Sequence, residues 1–116
     1  MPPTFDPASF TADSRTNWTT AAPFYDLISS NLFPPITNVF LEYSNLQRGH
    51  SVLDIACGPG TTTAGAAEKV THVGKVLGID LSPGMLDIAR KRVPNARFQE
   101  MNAESLRRPP YKLGQA

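Results

Sequence analysis

Val52-Leu53-Asp54-Ile55-Ala56-Cys57-Gly58-Pro59-Gly60-Thr61 carries a short apolar run into an acid and a glycine-rich turn, and the small residues from Thr61 to Val70 that follow have helical character. A strand, a tight glycine turn and a helix N-terminus in that order build a nucleotide-type pocket. Glycine lets a ligand approach the backbone, and the first turn of the helix offers unpaired N–H groups.

Outward from this stretch the alternation repeats. Ser51 to Ala56 predicts a first strand, Lys75 to Asp80 a second and Ala96 to Met101 a third. Ser82 and Pro83 stand as N-cap and first helical residue of a helix whose buried stripe is Met85, Leu86, Ile88, Ala89 and Val93; Pro94-Asn95 ends it. Strands alternating with helices predict an α/β fold with parallel pairing through right-handed crossovers, the strands ordered third, second, first.

Upstream, Met1 to Thr16 is rich in Pro, Ser, Thr and Asp without periodicity and predicts a flexible arm over 1–16. A helical cap is expected over 17–48. Its first helix, Trp18 to Ser30, places Trp18, Ala21, Ala22, Tyr25 and Ile28 near one face. Pro34-Pro35 interrupts it, and Ile36, Val39, Phe40 and Tyr43 mark a second helix. The βαβαβ unit occupies 49–105. The remainder, 106–116, is basic, proline-rich and without pattern.

Composition narrows the possibilities. The chain has 116 residues, 41% hydrophobic and 18% charged, which suits one globular domain. A net charge of +1 gives no field to attract nucleic acid or an anionic membrane. The most apolar stretch, Leu32 to Leu41, contains two prolines and is too short to span a bilayer. No leader pattern opens the chain, so a cytoplasmic location is expected. Cys57, the single cysteine, forms no internal disulfide. His50 and His72 have no metal-ligand spacing, so no metal is expected and both read as exposed.

Three groups converge at the C-terminal edge of such a sheet. The first is the turn Cys57-Gly58-Pro59-Gly60. The second is Asp80, about 20 residues beyond it, where an acid accepts hydrogen bonds from ribose hydroxyls. The third is Asn102-Ala103, past the third strand, where a side-chain amide can meet the edge of an adenine. Together they point to an adenosine-type ligand. A dinucleotide fingerprint wants a third glycine where Thr63 stands. Asp54 would repel a pyrophosphate but attract an ammonium or sulfonium, directly or through water.

Val52 to Thr61, Val76 to Arg90 and Phe98 to Glu104 resemble the first motifs of class I S-adenosylmethionine-dependent methyltransferases. The likeness is to the ubiquinone/menaquinone-biosynthesis-like group (methyltransferase type 11/25-like), N-terminal portion, and extends over roughly Trp18 to Leu106. The resemblance implies a Rossmann-like fold and S-adenosyl-L-methionine as cofactor. Asp54, Gly58 and Gly60 would line its methionine portion, and Ala56 joins this set. Asp80 would hold the ribose hydroxyls. Leu81 would pack on the adenine with Met85 close by. Asn102, where the family often has aspartate, would meet the adenine amino group, and the Ala103 N–H a ring nitrogen. Tyr25 would belong to a covering helical segment.

The family sheet has about seven strands. Three are legible here, so a truncated or altered reading frame after Leu106 is an expectation, with the first strand left as an open edge through which the chain could self-associate. The resemblance implies a small-molecule methyl acceptor. No catalytic residue is assigned, and any general base would lie elsewhere in the fold. Weak cofactor binding and little or no transfer by this chain alone are expected. Two other readings stand beside this one: a non-catalytic remnant or partner-binding module, and an NAD(P)-binding Rossmann oxidoreductase fragment, against which Asp54 and Thr63 argue. Trp18, Phe24 and Phe40 read as core or sheet cover, Arg90-Lys91-Arg92 as a solvated helix end, and Cys57 as a small turn residue rather than a nucleophile. Glu100 and Glu104 have no evident partner.

Overall fold

The computed structural model describes residues 1–108. In chain order the elements are α1 (Pro7–Leu32), α2 (Pro34–Tyr43), β1 (Ser51–Ile55), α3 (Thr61–Val70), β2 (Lys75–Asp80), α4 (Pro83–Arg92), β3 (Arg97–Glu100) and a 3₁₀ turn, Ala103–Ser105. The strands form one parallel sheet in the order β1-β2-β3. The β1–β2 register runs from Ser51 opposite Lys75 to Ile55 opposite Ile79; the β2–β3 register runs from Leu77 opposite Arg97 to Asp80 opposite Glu100.

One core joins α3 and α4 to the sheet. Ala67 and Val70 from α3, Leu86 and Ala89 from α4, and Val76 and Phe98 from the strands bury together with Cys57 and Val93. Burial there is near complete, with Ala89 at 0% and Val70 and Leu86 at 1% exposure. These contacts are short. A Cβ on Gly78 would strike the Phe98 ring, and one on Gly74 would strike Val70.

The N-terminal region departs from the sequence expectation. The stretch 1–16 is not a loose arm throughout, because α1 begins at Pro7. Asp6 caps it, accepting from the N–H groups of Ala8 and Ser9, and Pro7 takes the first helical position. The helix continues through Pro23, whose missing N–H leaves the Thr19 carbonyl without its helical partner. At that point α1 lies against α4: a Cβ on Gly84 would come within 3.0 Å of the Thr19 carbonyl oxygen.

The apolar faces of α1 and α2 are also placed differently. In α1 the buried residues are Ala22 and Ser29, while Ile28 is exposed. In α2 Leu41 alone is buried, against α3 at Gly65; Ile36, Val39, Phe40 and Tyr43 face outward. Phe24 and Phe40 are exposed, not core. The tail is irregular from Leu106 to Arg108, and the rest of the expectation for 106–116 lies outside the described residues.

Candidate functional site

Backbone ladders bring the three chain segments to one edge. The Cys57 N–H donates to the Ile79 carbonyl (2.9 Å) and the Met101 N–H to the Asp80 carbonyl (3.0 Å), so β1 and β3 both continue past their last strand residue alongside the end of β2. Ala56, Asp80 and Met101 therefore emerge side by side.

The turn after β1 is strongly bent. Ala56, Gly58 and Gly60 all have left-handed backbone, with φ of 57°, 57° and 87°. For Ala56 this conformation costs about 1–2 kcal/mol. Strain of this kind is held by surrounding structure and clusters where ligands bind. The two glycines serve different purposes. A Cβ on Gly58 would meet nothing within 4 Å, so this residue faces open space. A Cβ on Gly60 would lie 3.1 Å from the Ala89 Cβ, so this residue lets α3 start directly against α4.

Asp80 knits the edge together. One carboxylate oxygen accepts the Gly58 N–H (2.9 Å) and the other the Ser82 N–H (2.9 Å). Ser82 then caps α4 by accepting the Met85 N–H (3.2 Å), and its hydroxyl meets that of Thr19 on α1 (2.8 Å). Asn102 caps the 3₁₀ turn, its Oδ1 accepting the Glu104 N–H (2.9 Å).

These groups enclose a cavity of about 400 Å³, lined by Ser14, Trp18, Tyr25, Ala56, Gly58, Asp80, Leu81, Met85, Met101, Asn102, Ala103 and Glu104. Its size is that of a small-molecule site, in the range of about 300–1,000 Å³. Among the described residues its lining carries two acids, Asp80 and Glu104, and no lysine or arginine. Helix α1 forms its cover: Trp18 and Tyr25 stack edge to face with ring centroids 5.4 Å apart.

Of the residues singled out in the sequence, Tyr25, Ala56, Gly58, Asp80, Leu81, Met85, Asn102 and Ala103 meet in this cavity. Gly60 and Asp54 lie outside its lining. Gly60 is spent on helix packing. Asp54 is turned toward α3, where the Thr63 hydroxyl donates to its Oδ2 (2.6 Å) and Thr63 itself is fully buried. Burial raises the Asp54 carboxyl above its ordinary value, the Thr63 hydrogen bond opposes this, and the charge of Asp80 adds to it. The two carboxylates thus sense each other across the edge, though only Asp80 faces the cavity.

Ser14, Trp18, Met101 and Glu104 were not anticipated as lining residues. Trp18 and Tyr25 are seven residues apart on one helix, and this spacing was the available signal. Glu100 proves to have a partner, Arg15 of α1 (2.6 Å). Arg92 is not a solvated helix end: it pairs with Asp26 of α1 (2.7 Å) and donates to the Pro59 carbonyl (2.6 Å). The Cys57 thiol is buried and pushed up to about 12 by that burial, with the charges of Asp54 and Asp80 adding, so it is no nucleophile at neutral pH.

A parallel βαβαβ unit with a glycine turn, an acid at the end of β2 and a polar residue past β3, all on one cavity, defines a Rossmann-like nucleotide-cofactor fold of the class I methyltransferase type. Residues 52–113 match the family described as Methyltransferase domain, and the chain belongs to it. S-adenosylmethionine is the cofactor of that class. The chain is 38% identical over 86 residues to aklanonic acid methyltransferase DauC of Streptomyces sp. (strain C5), covering 70% of this chain and 39% of that protein. It is 37% identical over 62 residues to demethylmenaquinone methyltransferase of Symbiobacterium thermophilum, covering 53% of this chain and 25% of that one. It therefore spans well under half the length of either relative. The structure of Haemonchus contortus phosphoethanolamine N-methyltransferase 1, solved with phosphoethanolamine and S-adenosylhomocysteine, superposes with a TM-score of 0.72 at 22% identity, over 89% of this chain and 24% of that one, a likeness of fold.

Proposed function

We propose that the cavity binds S-adenosylmethionine and that the chain forms the cofactor-holding part of a methyltransferase for a small-molecule acceptor. The observation that carries this reading is the acidic lining. Asp80 and Glu104 face the cavity, Asp54 lies near enough for its carboxyl to feel the charge of Asp80, and among the described residues no lysine or arginine lines the cavity. Such a site repels a pyrophosphate and attracts a sulfonium. Asp80 uses one acceptor position on each oxygen for the backbone and keeps others for ribose hydroxyls. Asn102 Oδ1 likewise keeps a second lone pair for an adenine amino group. Asp54 acts through water rather than by direct contact. The bound sulfonium supplies an already activated methyl group. This chain's part is to hold and orient it, which is where most of the acceleration in such displacements arises. Two relatives named for small-molecule acceptors, aklanonic acid and demethylmenaquinone, support an acceptor of that kind.

Calorimetric titration with S-adenosylhomocysteine tests the reading. A saturable response that Asp80→Ala removes, with no response to NAD, is expected. Equal heat from NAD, or binding untouched by Asp80→Ala, overturns it.

One observation favours a second role. Among the described residues β1 pairs only with β2, and its Leu53 and Ile55 are about half exposed, at 49% and 47%. We propose that this edge supports self-association with a second copy of the chain, a strand edge being a template for another strand.

A further inference from the structure

We propose that Arg92 is a positioning residue for the cofactor site, joining the covering helix α1 to the glycine turn so that two parts of the cavity lining move as one body. The proposal rests on the cavity being the ligand site. One guanidinium nitrogen, Nη1, makes both links: it lies 2.7 Å from Asp26 Oδ1 and donates to the Pro59 carbonyl at 2.6 Å. Asp26 adjoins Tyr25, and Pro59 adjoins Gly58; Tyr25 and Gly58 both line the cavity. Each end of the bridge is therefore one residue from a wall.

The bridge is sheltered, with the side chains of Arg92 and Asp26 only 26% and 23% exposed. Among the described residues the ties of α1 through Arg15 and Thr19 make no direct contact with the turn; the one from Thr19 reaches it only through Ser82 and Asp80. Arg15 meets Glu100 on β3, with both side chains more exposed, and Thr19 meets Ser82 at the start of α4. On α4 itself, Arg90 pairs with Asp87 and donates to the Phe98 carbonyl, partners that belong to α4 and β3. The Asp26 link is an ion pair and the Pro59 link a hydrogen bond, and arginine suits the pairing because its rigid, always charged guanidinium fixes Nη1 between the two oxygens, whereas a lysine ammonium is a mobile point charge. A ligand between Tyr25 and Gly58 would then leave only when both walls open together.

Hydrogen exchange on the full chain, free and with S-adenosylhomocysteine, tests this for the unaltered protein, Asp26→Asn, Arg92→Lys, Arg92→Gln and Glu100→Gln. In the free protein Asp26→Asn and Arg92→Gln are expected to speed exchange about tenfold both in α1 around residues 24–30 and at the Gly58, Gly60 and Thr61 amides. Arg92→Lys falls between. Glu100→Gln loosens α1 near Arg15 and leaves the turn alone. With ligand, dissociation of S-adenosylhomocysteine quickens about tenfold in the first two variants while association is unchanged, a split that general destabilisation does not produce. Should Asp26→Asn loosen α1 but leave the turn amides at their original rates, the bridge carries no coupling and the proposal fails. If no form binds S-adenosylhomocysteine, the site reading fails, and the exchange data on the free protein still judge the bridge.

Discussion

Gly58 and Gly60 look interchangeable in the motif, yet they answer to different constraints. At Gly60 an added methyl meets Ala89 at 3.1 Å in a left-handed backbone, and both α3 and α4 would have to shift. Gly60→Ala is expected to cost about 2–4 kcal/mol, combining backbone strain with overpacking. At Gly58 the methyl enters open space, so Gly58→Ala costs about 1–2 kcal/mol of strain. It should nevertheless weaken S-adenosylhomocysteine binding about tenfold or more, because the methyl projects into the space the ligand needs. Urea unfolding and calorimetry on the pair check this crossed pattern. Asp54 allows a second test at the same scale. Its carboxyl is raised on folding, chiefly by burial, so the native state holds its proton more tightly than the unfolded chain does. The associated stabilisation is full below the ordinary value of 3.8 and disappears as pH rises through the folded value. At neutral pH the ionised group opposes folding. Asp54→Asn should therefore be more stable than the unaltered chain at pH 7, with the advantage shrinking toward acid pH. Unfolding midpoints that differ equally at pH 4 and pH 7 would contradict this.

Among the elements, those whose ends are marked by local chemistry were the most legible. Ser82-Pro83 announced α4, and the structure starts it at Pro83 with Ser82 as cap. β2 and α3 fall where their patterns put them. The start of α1 was not read, although Asp6-Pro7 is the same kind of signal. Most side chains from Pro7 to Thr16 are exposed, so no burial imprints an apolar period on them. The outward stripe of α2 misled for the opposite reason. Its period is real, but α2 meets α3 through Leu41, which lies off that stripe. A covering role for the helix carrying Tyr25 was expected from the resemblance, but what holds α1 in place was out of reach because it depends on pairs far apart in sequence: Arg15 with Glu100, Thr19 with Ser82, Asp26 with Arg92. Ser82 joins two elements, and this can be tested. Ser82→Ala removes both the cap on Met85 and the hydroxyl partner of Thr19, at a cost of about 1–2 kcal/mol. Thr19→Ala leaves the cap and removes the hydroxyl contact, together with the acceptor of a long bond from the Gly84 N–H (3.4 Å). Exchange should rise at the Met85 amide and in α1 for Ser82→Ala, and in α1 and at the Gly84 amide, but not at Met85, for Thr19→Ala. Faster exchange at Met85 in both variants would show that the α1 contact, rather than the cap, holds that helix start.

At the scale of the whole molecule the core and the surface are unequally finished. The cluster between α3, α4 and the sheet is closed, yet Phe24, Ile36, Phe40 and Tyr43 on the N-terminal helices, and Leu53 and Ile55 on β1, remain in contact with water. Exposed apolar area of this kind favours association, and two surfaces compete for the role. The helical residues offer only side chains. The β1 edge offers side chains and a row of backbone donors and acceptors that another strand can satisfy, so pairing there gains hydrogen bonds as well as burial. A second copy related by a two-fold axis would set β1 antiparallel to β1 and extend the sheet across the interface. Sedimentation velocity over an about hundredfold dilution series should then show a concentration-dependent larger species. Leu53→Lys places a charge on that edge and should return the chain to a monomer while leaving its response to S-adenosylhomocysteine intact, because Leu53 does not line the cavity. Phe40→Lys should leave the association as it is. If instead Phe40→Lys disperses the complex and Leu53→Lys does not, the contact runs through the helices and the strand edge is not the interface.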